Sequence, residues 1–256
     1  MRLSGRIFWM PYGPEPCTCP EAMAAQAAKK AADDEAERQR KQAETDRKMQ
    51  ERIKKIIGDS GINARFLRRT FATFQITDDN KRAHRAAKTY TDTFALKVPG
   101  TDNPEPGRNG LFVTGPKGTG KTHIAAAIAN QLMNTGTAVI CMTMIDLLER
   151  IKKTYEKNAD SESTVLNLYK QVPLLIIDDM GKEPATDWGI SKIYVIINGR
   201  YEGYMPTIVT TNYDDQQLVK RLTPSNGDDI TADATIDRLR EMCLGIQMTG
   251  QSWRSR

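Results

Sequence analysis

The segment Gly115-Pro116-Lys117-Gly118-Thr119-Gly120-Lys121-Thr122 fits the pattern G-x-x-x-x-G-K-[ST] at every fixed position. It follows the apolar run Leu111-Phe-Val-Thr114 and precedes a stretch in which Ile124, Ala127, Ile128 and Leu132 recur at helical spacing. That strand–loop–helix context is what the pattern requires. Glycines at 115, 118 and 120 let the backbone bend until several N–H groups point into one concavity. With the following helix N-terminus, such a concavity favours a polyphosphate. Lys121 then reaches the β- and γ-phosphates, the Thr122 hydroxyl ligates Mg²⁺, and His123 is committed to the start of the helix. The segment predicts a nucleoside triphosphate site.

A second acidic motif follows in the expected order. Leu174-Leu-Ile-Ile-Asp178-Asp179 places two carboxylates at the C-terminal tip of a buried strand, where ligands gather in open α/β sheets. Asp178 is expected to hold the Mg²⁺, and Asp179 to orient or activate the attacking water. A third apolar strand, Ile208-Val-Thr210-Thr211-Asn212, ends in three polar side chains. Asn212 is positioned to bond the γ-phosphate or the water, although Thr-Asn before Asp214 also suits a helix cap.

The elements that must position these residues alternate along the chain. Strands are expected at 111–114, 137–143, 173–178 and 206–211, with a last apolar stretch at 244–248. Helices are expected at 121–134, 144–156, 188–202, near 214–221 and at 231–242, with a short helix after the polar loop at 158–163. Nearly continuous Leu/Ile/Val strands separated by helices indicate a parallel sheet covered on both faces. Upstream, a helix over roughly 78–96 leads to the turn-forming linker Val98–Asn109. Residues 21–57 read as one long charged helix in which Glu37, Glu44 and Glu51 each precede a lysine by four residues, the favourable order for such pairs. Its heptad seam (Ala36, Ala43, Gln50) is poor for a coiled coil. The helix is therefore expected to stand alone, or to dock its Ala-rich first turns and its Ile-rich end (Met49, Ile53, Ile56, Ile57) on another surface. Gly58 is the expected stop.

Composition bounds the remaining possibilities. The 256 residues accommodate one sizeable α/β domain with an appendage. No apolar run approaches the ~20 residues needed to span a bilayer, so no membrane contact and a cytoplasmic location are expected. Cys17-Thr-Cys19 invites a zinc site, but a tetrahedral site needs four ligands and the only histidines are His84 and His123. Net charge is +5. Its distribution says more, because Arg65, Arg68, Arg69, Lys81, Arg82, Arg85 and Lys88 crowd the segment before the first strand, and Arg238, Arg240, Arg254 and Arg256 crowd the end. Such clusters permit nucleic-acid binding without requiring it.

The combination of Gly115–Thr122, Leu174–Asp179 with Met180-Gly181 after it, and Val209-Thr-Thr-Asn212 resembles the AAA+ ATPases. More narrowly, it resembles the DnaC/DnaI-type replicative helicase loaders. Ser60-Gly61-Ile62 through Phe74 is similar to the segment that leads into their ATPase domain. Ile236-Asp237-Arg238-Leu239 and Ser252-Trp253-Arg254-Ser255-Arg256 are similar to their closing sequence. The resemblance implies a P-loop AAA+ parallel sheet with helices on both faces, little or no C-terminal lid domain, and a preceding charged helix. It implies a helicase-interaction region over 1–60 and an ATPase domain over 61–256.

Function follows as an expectation from the same resemblance: ATP-dependent loading of a replicative ring helicase onto single-stranded DNA by an ATP-dependent homo-oligomer. ATP or ADP would lie on Gly115–His123, with Mg²⁺ on Thr122 and Asp178. Arg238 would be an arginine finger reaching the neighbouring subunit's γ-phosphate, and Arg254 a second sensor; the alternative for either is a surface ion pair, and it has more weight for Arg254 than for Arg238. Asp179 replaces the glutamate common in AAA+ proteins, which implies slow hydrolysis. Lys152, Lys153 and Tyr155 are candidates for the strand contact, and a solvated helix face explains them equally well. The alternatives are an IstB-type transposition helper ATPase and, from another class, a P-loop small-molecule kinase.

Overall fold

The structure is a computed structural model that describes residues 19–57, 64–100, 103, 105–156, 159–182, 186–225, 227 and 229–253. Two compact units divide the chain, Met1–Thr45 and Asp46–Arg256. The described part of the first unit is helical and belongs to α1 (Pro20–Ile57). Pro20 suits its first position, where the missing N–H would have had no partner. Glu37 and Lys41 form an ion pair at 2.6 Å on its surface. The last turns of α1 belong to the second unit and explain its apolar end: Ile53 is buried, Met49 packs beside it, and the Gln50 amide donates to the Gly136 carbonyl at 2.8 Å. The side chains of Ile56 and Ile57, and the Gly58 stop, lie outside the described residues.

The second unit is built on five parallel strands: β1 (Gly110–Thr114), β2 (Val139–Thr143), β3 (Leu174–Met180), β4 (Thr207–Thr211) and β5 (Cys243–Gln247), in the spatial order β2-β3-β4-β1-β5. Register brings Thr114 opposite Thr211 and Thr143 opposite Asp178, so the polar strand ends meet along one edge of the sheet. Upstream of these ends β1 to β4 are almost wholly apolar and buried on both faces. On one face α5 (Met144–Lys153), α6 (Glu162–Gln171), α7 (Asp187–Glu202), α8 (Asp215–Leu222) and α9 (Ile230–Met242) enclose Ile140, Leu175, Ile177 and Val209. On the other face α2 (Ala64–Leu67), α3 (Lys81–Asp92) and α4 (Lys121–Asn134) enclose Leu111, Val113, Leu174, Ile176 and Ile208. At about 25 cal/mol per Å² of apolar area removed from water, this double burial drives the fold.

Most expected elements are present, and the differences have local causes. The 78–96 helix breaks after Asp92, and a 3₁₀ turn over Phe94–Leu96 replaces its end and buries Phe94. The expected 144–156 helix stops at Lys153. The polar loop near 158–163 gives way at Ser161, whose hydroxyl accepts from the Thr164 N–H and caps α6. The last apolar stretch proves to be β5, paired in parallel with β1. Arg200 on α7 is fully buried, and its guanidinium donates to the Tyr169, Val172 and Pro206 carbonyls and to the Thr207 hydroxyl. It ties the end of α6 to the start of β4, and burial lowers its pKa to about 9. Among the described residues no helix is long and apolar enough to cross a membrane.

Candidate nucleotide site

The loop between β1 and α4 takes the backbone course its glycines permit. Gly115 (φ 144°), Gly118 (φ 85°) and Gly120 (φ 101°) occupy the region that side chains avoid. Space forbids a substituent as well, since a Cβ on Gly115 would lie 2.1 Å from the Met248 carbonyl oxygen. The segment after β5 closes on this loop, with the Trp253 N–H donating to the Gly118 carbonyl at 3.1 Å. Gly120 is the N-cap of α4 and offers no side-chain cap. The first N–H groups of the helix therefore remain available to an anion.

Lys121 is buried, and its ammonium donates to the carbonyls of Gly115 (2.8 Å) and Pro116 (2.9 Å) and to Asn212 Oδ1 (2.7 Å). The loop lysine and the polar tip of β4 thus share one point. Beside them the Thr122 hydroxyl donates to both Asp178 oxygens at 2.9 and 3.0 Å, and the Thr210 hydroxyl donates to Asp178 Oδ1 at 2.6 Å. Asp178 is 2% exposed. Burial raises its pKa and the neighbouring Asp179 charge adds to this, while the Thr210 and Thr122 hydroxyls and Lys121 oppose it. A buried carboxylate beside a hydroxyl is a hard-oxygen donor set, the kind Mg²⁺ prefers, and a divalent cation there would relieve the burial cost of the charge. The residues fit the ion.

Asp179 adopts a left-handed backbone (φ 56°), uncommon for a residue with a side chain. Its N–H donates to Thr210 Oγ1 at 3.0 Å, and its carboxylate faces Lys182 at 3.7 Å. The turn that follows is held from α8. Arg221 donates from Nε to the Gly181 carbonyl (3.0 Å) and from Nη2 to the Lys182 carbonyl (2.8 Å), with its guanidinium over the Tyr213 ring. Asp214, not Asn212, caps α8.

Gly120, Lys121, Thr122, Asp178, Asp179 and Asn212 line a cleft of about 680 Å³. Beside the phosphate loop its wall is made by Phe66, Arg69, Thr73, Phe74 and Gln75, from the segment before β1. His123 joins this wall to α4, with Nε2 facing the Thr70 carbonyl (3.0 Å) and the Thr73 hydroxyl (3.2 Å) and its ring meeting Phe74 edge-on. Burial lowers its pKa, and because a carbonyl can only accept, Nε2–H is the donor to Thr70. Lys117 lines the exposed mouth, whereas Thr119 turns inward and bonds the Pro116 carbonyl at 2.9 Å.

Arg238 does not reach this cleft. It lies on α9, donating to Asn198 Oδ1 at 2.5 Å and to the Ala234 carbonyl, with the rings of Tyr194 and Tyr201 beneath its guanidinium. Arg254 and Cys17 lie outside the described residues. Sequence patterns assigned no role in the site to Thr210, Arg221 or the Phe66–Gln75 wall. The alternation of Thr210 with Val209 was a signal for the first. Arg221 reads from sequence as an ordinary basic residue in the last turn of a helix.

Comparison with known proteins places this geometry in a lineage. The model of the family described as IstB-like ATP binding protein matches residues 106–256. The replicative helicase loader DnaC of Escherichia coli K12 is 31% identical over 147 residues, which are 57% of this chain and 56% of that relative. The matched part therefore spans little more than half the relative's length. The crystal structure of a DnaI has 27% identity and a TM-score of 0.58, covering 75% of this chain and 93% of that one. The crystal structure of a DnaC helicase loader, at 24% identity, shares the fold with a TM-score of 0.59 over 73% of this chain and all of that one. On the family match, the chain belongs to the IstB-like ATP-binding proteins, and its parallel sheet has an AAA+ fold like that of the DnaI and DnaC structures.

Proposed function

We propose that this chain is an ATP-dependent loader of a replicative ring helicase onto single-stranded DNA. The observation that carries the reading is the convergence of Lys121 with Asn212, and of Thr122 with Asp178, on a chain whose relatives are named replicative helicase loaders. In this reading Lys121 exchanges its two carbonyl partners for β- and γ-phosphate oxygens, and the Gly115–Gly120 backbone and the first turn of α4 receive the rest of the chain of phosphates. Thr122 and Asp178 hold Mg²⁺, which when bound offsets the negative charge of the phosphates. Asn212 is left beside the γ-phosphate with an amide to offer it. Asp179 accepts the proton of the water that displaces ADP, while the γ-phosphoryl group leaves as inorganic phosphate. Arg238, outside its own cleft, serves the cleft of a neighbouring copy. The helicase docks within residues 1–60, and the ATPase domain over 61–256 takes in the last turns of α1 as well.

Single-stranded DNA meets the exposed end of α5. Tyr155 is 60% exposed and donates to Glu162, Trp188 Nε1 donates to the Tyr155 hydroxyl at 3.1 Å, and Lys152 Nζ lies 5.3 Å from the Trp188 ring centroid. Aromatic faces beside lysines suit stacked bases and their phosphates.

ATP turnover of the full chain, measured against protein concentration with and without oligothymidylate, tests the proposal. Phosphate release per subunit should rise with concentration and shift with the oligonucleotide. Turnover independent of both, or transfer of phosphate to a small-molecule acceptor, would sink it. The family match itself favours a second reading, a transposition helper ATPase of the IstB type. Retention of a transposase and no ring helicase by the immobilised full chain would decide for that reading.

A further inference from the structure

The basic residues that precede β1 do not all belong to the nucleotide cleft. Along α3 the exposed positions Arg82, Arg85, Ala86 and Thr89 recur at helical spacing, while Ala83, Ala87 and Tyr90 face the core. The exposed face forms one wall of a second cleft, about 640 Å³ in volume, which shares no lining residue with the first. Its floor is apolar: Leu111, Leu244 and Ile246, with Leu244 43% exposed. Arg82, Arg85 and Lys97 line it, and their side chains make no hydrogen bond or ion pair among the described residues. Lys81, at the mouth, is paired with Asp78 at 2.8 Å. Among the described residues no carboxylate lines the cleft.

The floor is also the rim of the sheet. β5 pairs with β1 alone, so its outer edge presents backbone N–H and C=O groups with no strand partner among the described residues. Protected edges carry charges, prolines or bulges, and Cys243-Leu-Gly-Ile-Gln247 carries neither a charge nor a proline. The open edge supplies backbone pairing, the floor supplies apolar contact, and the α3 wall supplies positive charge.

We propose that this groove docks an extended acidic segment of a partner protein. The segment lies alongside β5, with the carboxylates of its α3-facing row toward Arg82, Arg85 and Lys97 and their methylene stems against Leu244 and Ile246, while the alternate side chains point to the opposite face of the sheet. This is strand addition to a sheet edge, in which main-chain bonds supply affinity and alternate side chains supply specificity. A peptide fits better than a nucleic acid here. Among the described residues the one aromatic side chain in the lining, Tyr90, is buried with its hydroxyl committed to the Asn109 carbonyl at 2.8 Å, so none of their rings is offered to a base.

The test is fluorescence anisotropy of the full chain with a labelled octapeptide of alternating glutamate and valine. Controls are the lysine/valine analogue, the glutamate/valine peptide methylated on alternate backbone nitrogens, and oligothymidylate. The acidic peptide should bind at least tenfold more tightly than its basic or N-methylated analogues. Substitution of Arg82→Glu with Arg85→Glu, and separately Leu244→Asp, should each weaken it at least tenfold while ATP affinity stays unchanged and so reports an intact fold. Equal binding of acidic and basic peptides, indifference to N-methylation or to the substitutions, or failure of the acidic peptide to bind overturns the proposal. Binding of oligothymidylate alone, lost in the double variant, overturns it in favour of nucleic acid.

Discussion

The Lys121 ammonium is divided among two loop carbonyls and the Asn212 oxygen, so its side chain already points into the concavity its charge must serve. Lys121→Ala should weaken ATP binding by about a hundredfold, the ~3 kcal/mol range of a charge-assisted contact. Isothermal titration reads this directly, and unchanged affinity would show that the phosphates lie elsewhere. Asp178 is a different case, because its carboxylate is held against a burial cost. Its pKa is raised in the fold, so the ionised carboxylate destabilises the protein at pH values above that pKa, and the cost fades as pH falls through it. Asp178→Asn should therefore leave the melting temperature at neutral pH unchanged or higher. Losing the cation's several kcal/mol of charge stabilisation, it should also lower ATP turnover by about two orders of magnitude. A marked loss of stability would mean that the carboxylate is structural.

Two elements hold the site in shape from outside it. The α8 helix delivers Arg221 to the carbonyls of Gly181 and Lys182, directly after Asp179, and so restrains a turn whose backbone is itself unusual. Arg221→Ala should lower kcat about tenfold, in keeping with the sensitivity of catalysis to misplacement, while nucleotide affinity stays within a factor of about two. A parallel fall in affinity would assign Arg221 to binding instead. On the other wall, α3 places His84 in a stack with Phe74 and edge-on to Phe71. Burial, then the charge of Lys88, lowers its pKa below the ordinary 6.5. The neutral ring is the form the fold prefers, so its contribution is complete above 6.5 and is lost as pH falls through the lowered value. The melting temperature of the native chain should drop relative to His84→Gln as pH falls from 7 toward 5; parallel curves would mean that the ring titrates alike folded and unfolded.

At the scale of the whole molecule, Arg238 carries the question of assembly. Two tyrosine rings and the Asn198 oxygen hold it on the seam between α7 and α9, so any role at a γ-phosphate requires a second copy. Arg238→Ala should leave ATP affinity intact and remove the concentration-dependent part of turnover, by about a thousandfold if the residue acts as a finger. Retained concentration dependence would leave it a packing residue. The division of the second unit from the first at Asp46 bears on the same scale, since the last turns of α1 are part of the second unit's core. A deletion meant to remove helicase docking should therefore spare residues from 46 onward.

The phosphate loop, its helix and the strand tips could be read in the sequence because each depends on neighbours in the chain. Glycine spacing sets the backbone of the loop, and unbroken apolar runs mark strands buried on both faces. The α4 boundaries, Lys121–Asn134, follow from such signals. What depended on distant segments was not legible. Thr210 meets Asp178 only because β4 lies beside β3, Arg221 reaches the Asp179 turn only because α8 packs there, and the Phe66–Gln75 wall closes the cleft only through His123 on α4. The apolar stretch after Met242 carried no signal that it would end the sheet with an open edge. Local rules determined which elements form and which of them carry the chemistry, because hydrogen bonding and side-chain period act within a few residues. Packing decided which of those residues meet, because burial is a property of the whole surface removed from water.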